Sequence, residues 1–239
     1  MYTNDYNRDS YDISRQSQAA LANTVSSAMK RVYFKMTLAL IVTALTALWA
    51  SSSYGYLTFL MSHSWMMWVL IAAEFGLVIA ISGAINKLSS IAASGLFYLF
   101  AVINGLMLCT IFLVYSPTAI TKTFFITAGT FGAMSVYGYF TTNDLSKVGS
   151  FLYMALIGLI IASLVNIFLH SSTLDWIVSI AGVLIFIGLT AWDTQQIKTM
   201  AMTTPADSVG KLATVGALSL YLDFINLFLY LLRIFGNRN

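Results

Sequence analysis

Charge is scarce in this sequence. Only 9% of its 239 residues are Asp, Glu, Lys or Arg, against about 25% in soluble domains. That shortage excludes an ordinary water-facing globular domain. The formal charge of +3, with no dense basic run, excludes the electrostatic footprint of a nucleic-acid partner. Two prolines and 15 glycines are too few for a low-complexity linker. A single cysteine, Cys109, excludes an intrachain disulfide. No cleavable signal is visible, because the first 29 residues are polar and lack an apolar stretch. Residues 1–29 read as a flexible cytoplasmic tail, with Ala19–Met29 able to extend the first helix backwards. An ATP-binding loop, a metal-ligand cluster and a nucleophile elbow are all missing from the sequence. The expectation is a protein that is not an enzyme and has no resident cofactor.

What the chain has is apolar length. Hydrophobic residues make up 59% of it, the mean hydropathy is +0.81, and apolar stretches near 20 residues recur, enough to cross a bilayer. Breaks in hydropathy predict seven spans: Val32–Ala50, Trp65–Ala84, Ile91–Tyr115, Thr123–Phe140, Val148–Leu169, Leu174–Ile197 and Leu212–Phe235. Residues 30–239 thus form one transmembrane domain. Its longest connection is Lys198–Lys211, with Thr204-Pro205-Ala206-Asp207 supplying turn chemistry. Lysine and arginine set the orientation. Arg8, Arg15, Lys30, Arg31, Lys35, Lys87, Lys147, Lys198 and Lys211 fall on one side, and Lys122, Arg233 and Arg238 on the other. This bias puts the N-terminus in the cytoplasm and, after seven crossings, the C-terminus outside. A re-entrant last segment would sharpen the bias and remains the alternative.

Three acids interrupt the apolar runs: Glu74, Asp193 and Asp223. A charged side chain at the bilayer centre costs about 2.5–3.5 kcal/mol even on insertion scales, so each is a candidate functional residue. Asp223 shares a helical stripe with Ser219, Asn226, Tyr230 and Arg233, at steps of four, three, four and three. Asp193 shares one with Thr190 and Gln196. Thr123, Thr127 and Thr130 mark a third stripe, for which packing or bonding to their own backbone is the plainer explanation. Asn104 and Asn166 read as interhelical glue, and His63 and His170 as solvated residues at loop edges.

Two carboxylates brought together at low dielectric share a proton. Deprotonated, they offer hard oxygens that suit Ca²⁺. A pH gate, a cation site and a general acid–base pair all remain open at this point. Intramembrane aspartyl proteases also use two membrane aspartates, but their Gly-x-Gly-Asp motif is absent here. A retinal protein needs a lysine in the seventh helix, and there is none.

The segments FIGLTAWDTQQIK (Phe186–Lys198) and ALSLYLDFINLF (Ala217–Phe228) resemble those of the Bax inhibitor-1 family, in its bacterial branch. The resemblance covers Lys30 to Gly236. It implies an all-α integral membrane protein of seven helices, two three-helix layers around a central C-terminal helix, in a bacterial inner membrane. It further implies a pH-dependent Ca²⁺ leak with Asp193 and Asp223 as sensor and transient cation ligands, and Glu74, matching the family's acid in the second helix, on the ion path. The family's bacterial prototype has an arginine latch further along that helix. This sequence has none there. Lys87 is the nearest cation and lacks the bidentate fork, while Ser219, Asn226 and Arg233 are the other candidate supporting residues. Partners implied are the lipid bilayer and calcium or protons as permeant or gating ions. The alternative function is that of a non-transporting regulator that restrains a membrane-anchored ATP-dependent protease or another membrane partner in stress or cell death.

Overall fold

The computed structural model describes residues 3–236. Among them it forms nine helices: α1 (Thr3–Ser52), α2 (Tyr54–Ser62), α3 (Trp65–Gly83), α4 (Ser90–Leu108), α5 (Ile111–Val114), α6 (Pro117–Phe140), α7 (Ser146–Leu169), α8 (Ser172–Thr203) and α9 (Val209–Phe235). Serine starts four of them. The hydroxyls of Ser53, Ser89, Ser116 and Ser171 accept from the backbone N–H of Tyr56, Ala92, Ala119 and Leu174. Each satisfies one of the N–H groups that a helix start leaves unpaired. Ser116 is followed by Pro117 in the first turn of α6. There a missing N–H costs nothing and the fixed φ suits the helix.

Three element boundaries therefore differ from the sequence expectation. The fourth predicted span begins at Pro117 rather than Thr123. The polar stretch after Ile197 stays helical to Thr203, leaving a short turn in which Ser208 N–H donates to the Pro205 carbonyl at 2.9 Å. At the chain start, α1 is helical from Thr3, with residues 1 and 2 outside the described residues. Val25, Ala28, Met29 and Val32 recur at helical spacing and are buried in the core. The packed bundle thus reaches back to Val25, five residues before the expected boundary. The short helix α2 was not anticipated, because its Ser-Gly flank read as a loop.

Six helical segments are long and apolar enough to cross a membrane: Gln18–Ser52, Trp65–Gly83, Ser90–Val114, Ser146–Leu169, Ser172–Thr203 and Val209–Phe235. Helix α6 has 24 residues, about 36 Å at 1.5 Å per residue. It is long enough to cross, but its five threonines and three glycines dilute its hydropathy, and it is not among the six.

Helix α9 is the axis of the molecule. It packs against α1, α4, α6 and α8, and most of its apolar side chains are buried. Helices α1, α3 and α4 form one layer beside it, and α6, α7 and α8 form the other. The expected central C-terminal helix flanked by two three-helix layers is therefore present. Lipid tails are as apolar as leucine, so membrane helices associate through close packing and hydrogen bonds rather than through the hydrophobic effect. Two glycines make the close packing possible. A Cβ on Gly138 of α6 would fall on the Ala191 backbone of α8, and a Cβ on Gly182 of α8 would come within 2.6 Å of the Tyr230 ring of α9.

Candidate functional site

Helices α8 and α9 run antiparallel from a tight turn, and their register follows from their contacts. Ile197 meets Gly216, Asp193 meets Ser219, Phe186 stacks on Tyr230, and Asp175 meets Arg233. That register sets Asp193 about one helical turn from the level of Asp223, both facing the α8–α9 seam. The two carboxylates are neighbours across that seam. Asp193 is 6% exposed and Asp223 is 4% exposed. Ser219 Oγ donates to Asp193 Oδ2 at 2.5 Å. Asp223 Oδ2, Thr194 Oγ1 and Trp192 Nε1 are buried without a hydrogen-bond partner. Buried polar atoms are normally paired, and each exception calls for an explanation. Of the three, Trp192 Nε1 lies against Gly149 of α7, and Asp223 Oδ2 belongs to the aspartate pair.

Glu74 lies elsewhere, on a second polar line. Asn104 Nδ2 donates to Glu74 Oε1 at 2.7 Å. Tyr221 Oη donates to Asn104 Oδ1 at 3.1 Å and lies 2.6 Å from Thr43 Oγ1. Thr43 Oγ1 donates to the Ala101 carbonyl at 2.9 Å. The line crosses α3, α4, α9 and α1, and joins α9 two residues before Asp223. Two residues turn about 200° around a helix. Glu74 therefore connects to the far face of α9 rather than to the aspartates. Asn104 serves as the interhelical glue its sequence position suggested.

Three of the candidate supporting residues stand apart from the pair. Asn226 Nδ2 donates to the Leu222 carbonyl of its own helix at 2.8 Å. Arg233 lies about three turns from Asp223, where it pairs with Asp175 at 3.5 Å and stacks on Tyr230; both ionic groups are half-exposed, so the pair contributes little. Lys87 is exposed in the turn between α3 and α4 and has no side-chain hydrogen bond or ion pair among the described residues. Among the described residues, no basic side chain pairs with Asp193 or Asp223. Of the four supporting candidates, only Ser219 reaches the pair. Among the described residues, no group of three or more His, Cys, Asp or Glu side chains could hold a metal ion. The threonine stripe behaves as packing: Thr123 and Thr127 are buried, and Thr127 Oγ1 donates to the Thr123 carbonyl.

Sequence reasoning counted Lys35 only as part of the charge bias. Its ammonium donates to Ser94 Oγ at 2.7 Å, Thr214 Oγ1 at 2.6 Å and the Gly210 carbonyl at 3.2 Å. It thereby ties α1 and α4 to the first turns of α9 with all three of its donors. The signal was present, since Lys35 lies inside the first apolar run, where a cation needs partners. A polar cleft of about 300 Å³ lies near the last turns of α8, lined by Asn143, Asp144, Gln195, Gln196 and Lys198 among others. Asp144 is outside the spans, and its bonds to Ser146 hold its carboxyl below the usual range.

Buried acids on the two most enclosed helices of an apolar bundle define a multi-pass integral membrane protein with a polar centre. The family model described as "Inhibitor of apoptosis-promoting Bax1" matches residues 25–239, and the chain belongs to this Bax inhibitor-1 family. Its start at residue 25 coincides with Val25, the first buried residue of α1 among those whose side chains are described. Among similar proteins is the inner membrane protein YbhL of Escherichia coli (strain K12), 48% identical over 213 residues, covering 88% of this chain and 91% of YbhL. A protein of Borreliella burgdorferi described as uncharacterized is 46% identical over 229 residues, 95% of this chain and 98% of its own. One of Rickettsia prowazekii is 44% identical over 211 residues, 88% and 89% of the two chains.

Proposed function

We propose that this protein is a cation leak channel or transporter, with Ca²⁺ as the favoured ion, gated by protonation of Asp193 and Asp223. The observation that carries the reading is that two enclosed carboxylates neighbour each other with no ion pair to either among the described residues. Two such groups cannot both be ionised cheaply, so a shared proton holds them together and its loss drives them apart. The deprotonated pair, with the hydroxyl of Ser219, presents oxygen donors of the type Ca²⁺ takes. That donor set falls short of the six to eight oxygens of a storage site. A short set suits an ion that passes and does not stay. The polar cleft near the end of α8 would serve as the cytoplasmic vestibule and Glu74 as the acid of the outer half. In this reading α6 makes a seventh crossing, the N-terminus is cytoplasmic, and the membrane is the bacterial inner membrane, as the printed name of YbhL says of that relative.

The description of the family as an inhibitor supports a second reading, a regulator that binds a membrane partner without transporting. Liposomes containing this protein alone separate the two. A trapped Ca²⁺ indicator should report influx well above empty liposomes, and Glu74→Gln should lower it while the protein stays folded. Influx equal to that of empty liposomes, with correctly inserted protein, would leave only the regulator.

A further inference from the structure

We propose that the seam between α1 and α6 is a specific site for one anionic glycerophospholipid. A groove of about 650 Å³ opens there, lined by α1 and α6 residues including Met29, Lys30, Phe131, Gly132, Ser135 and Tyr139. These helices belong to different layers, and each packs on α8 and α9, so the groove lies where the two layers part. Its walls are mostly apolar and it opens sideways, which suits an acyl chain.

Two observations select the headgroup. Lys30 is the charged member of the lining, is exposed, and has no ion pair among the described residues. Lys198 adds a second cation at the same end. It donates to the Tyr139 carbonyl at 2.7 Å and sits 5.1 Å over the Tyr139 ring. Basic side chains at the mouth of an interhelical groove complement a lipid phosphate. The second observation is Ser135. It is 5% exposed, and its Oγ has no hydrogen-bond partner. It lies one turn deeper along α6 than Tyr139, about 6 Å at 1.5 Å per residue. Ester carbonyls lie just below the phosphate of a glycerolipid, so Ser135 is placed to donate to one. Phosphate on Lys30 and Lys198, ester on Ser135 and chain along Phe131 and Met29 together describe one bound molecule. This site is independent of the role assigned to the aspartates.

Gly132 supplies the decisive variant, because a Cβ there meets nothing within 4 Å. A larger side chain can enter the groove without displacing protein. Native mass spectrometry of the full chain, titrated with phosphatidylglycerol or phosphatidylcholine, reads the site directly. The expected result is one phosphatidylglycerol retained at about 30-fold lower concentration than phosphatidylcholine, the effect of two cations near the phosphate at about 1 kcal/mol each. Lys30→Gln should weaken that retention about fivefold. Gly132→Leu should abolish it with an unchanged lipid-free unfolding temperature. Equal retention of the two lipids overturns the proposal. So does retention by Gly132→Leu, displacement by inorganic phosphate alone, or a dimer that Gly132→Leu disrupts, which would make the groove an interface between copies.

Discussion

Tyr221 joins the polar line from Glu74 to the central helix. It is fully buried, its hydroxyl bridges Asn104 and Thr43, and its ring meets Phe97 and Phe100 edge-on. Replacing it by Phe keeps the ring contacts and removes one oxygen. Interhelical hydrogen bonds in membranes average about 0.6 kcal/mol and reach about 1.7 kcal/mol. Leaving a buried partner unsatisfied costs about 1–3 kcal/mol. Because two partners lose their bond, the second effect should dominate. Tyr221→Phe is expected to destabilise by about 1–2 kcal/mol in reversible unfolding in micelles. A neutral result would mean that Asn104 and Thr43 re-pair without it. Sequence patterns could not expose this residue. A buried tyrosine in an apolar helix looks like packing, and its partners come from two other elements, α1 and α4. Asp193, Asp223 and Glu74 were legible because a carboxylate in an apolar run stands out by its cost alone. Asn226 and Arg233 share Asp223's stripe yet do not reach the pair. A stripe fixes a face of the helix, while distance along the axis decides what meets there.

Among the elements, α6 shows how small residues substitute for hydropathy. Its threonines and glycines keep it from counting as apolar, yet its face is pressed against α8. The Gly138–Ala191 contact sets that spacing. Gly138→Ala therefore meets two opposed effects. Alanine in place of glycine within a helix gains about 0.5–1 kcal/mol, while forcing a methyl into a filled contact costs about 1–3 kcal/mol. Here the obstacle is backbone, which cannot rotate away, so the cost wins and the variant should unfold at lower temperature. Gly129→Ala, on the same helix and facing open space, should be neutral or slightly stabilising. Equal behaviour of the two variants would contradict the close α6–α8 packing. Most helices were legible from runs of apolar residues. The boundaries that shifted did so for local reasons. Ser116-Pro117 reads equally as a stop or a start, and the polar end of α8 is helical although its composition resembles a loop.

For the whole molecule, the central position of α9 follows from burial on nearly every face, which a hydropathy profile does not distinguish from exposure to lipid. The two motifs that mark the family lie on α8 and α9, so family and fold were both readable where the aspartates are. The topology is a separate matter, because charge bias alone also allows a re-entrant last helix. With 27 residues, α9 extends about 40 Å, ample for a bilayer about 30 Å thick. A reporter fused after Asn239 is expected to read as external while one at the N-terminus reads as cytoplasmic. Two cytoplasmic readings would contradict a seven-crossing chain.

In the proposed channel Asp193 and Asp223 act as one proton-linked gate. Its most direct test is the pH profile of Ca²⁺ flux in liposomes containing the wild type, Asp193→Asn, Asp223→Asn or the double variant. Each single change should flatten the profile, and the double change should add little, since residues that act as a unit are not additive. An Asp223→Asn protein that keeps the wild-type pH profile would contradict the account.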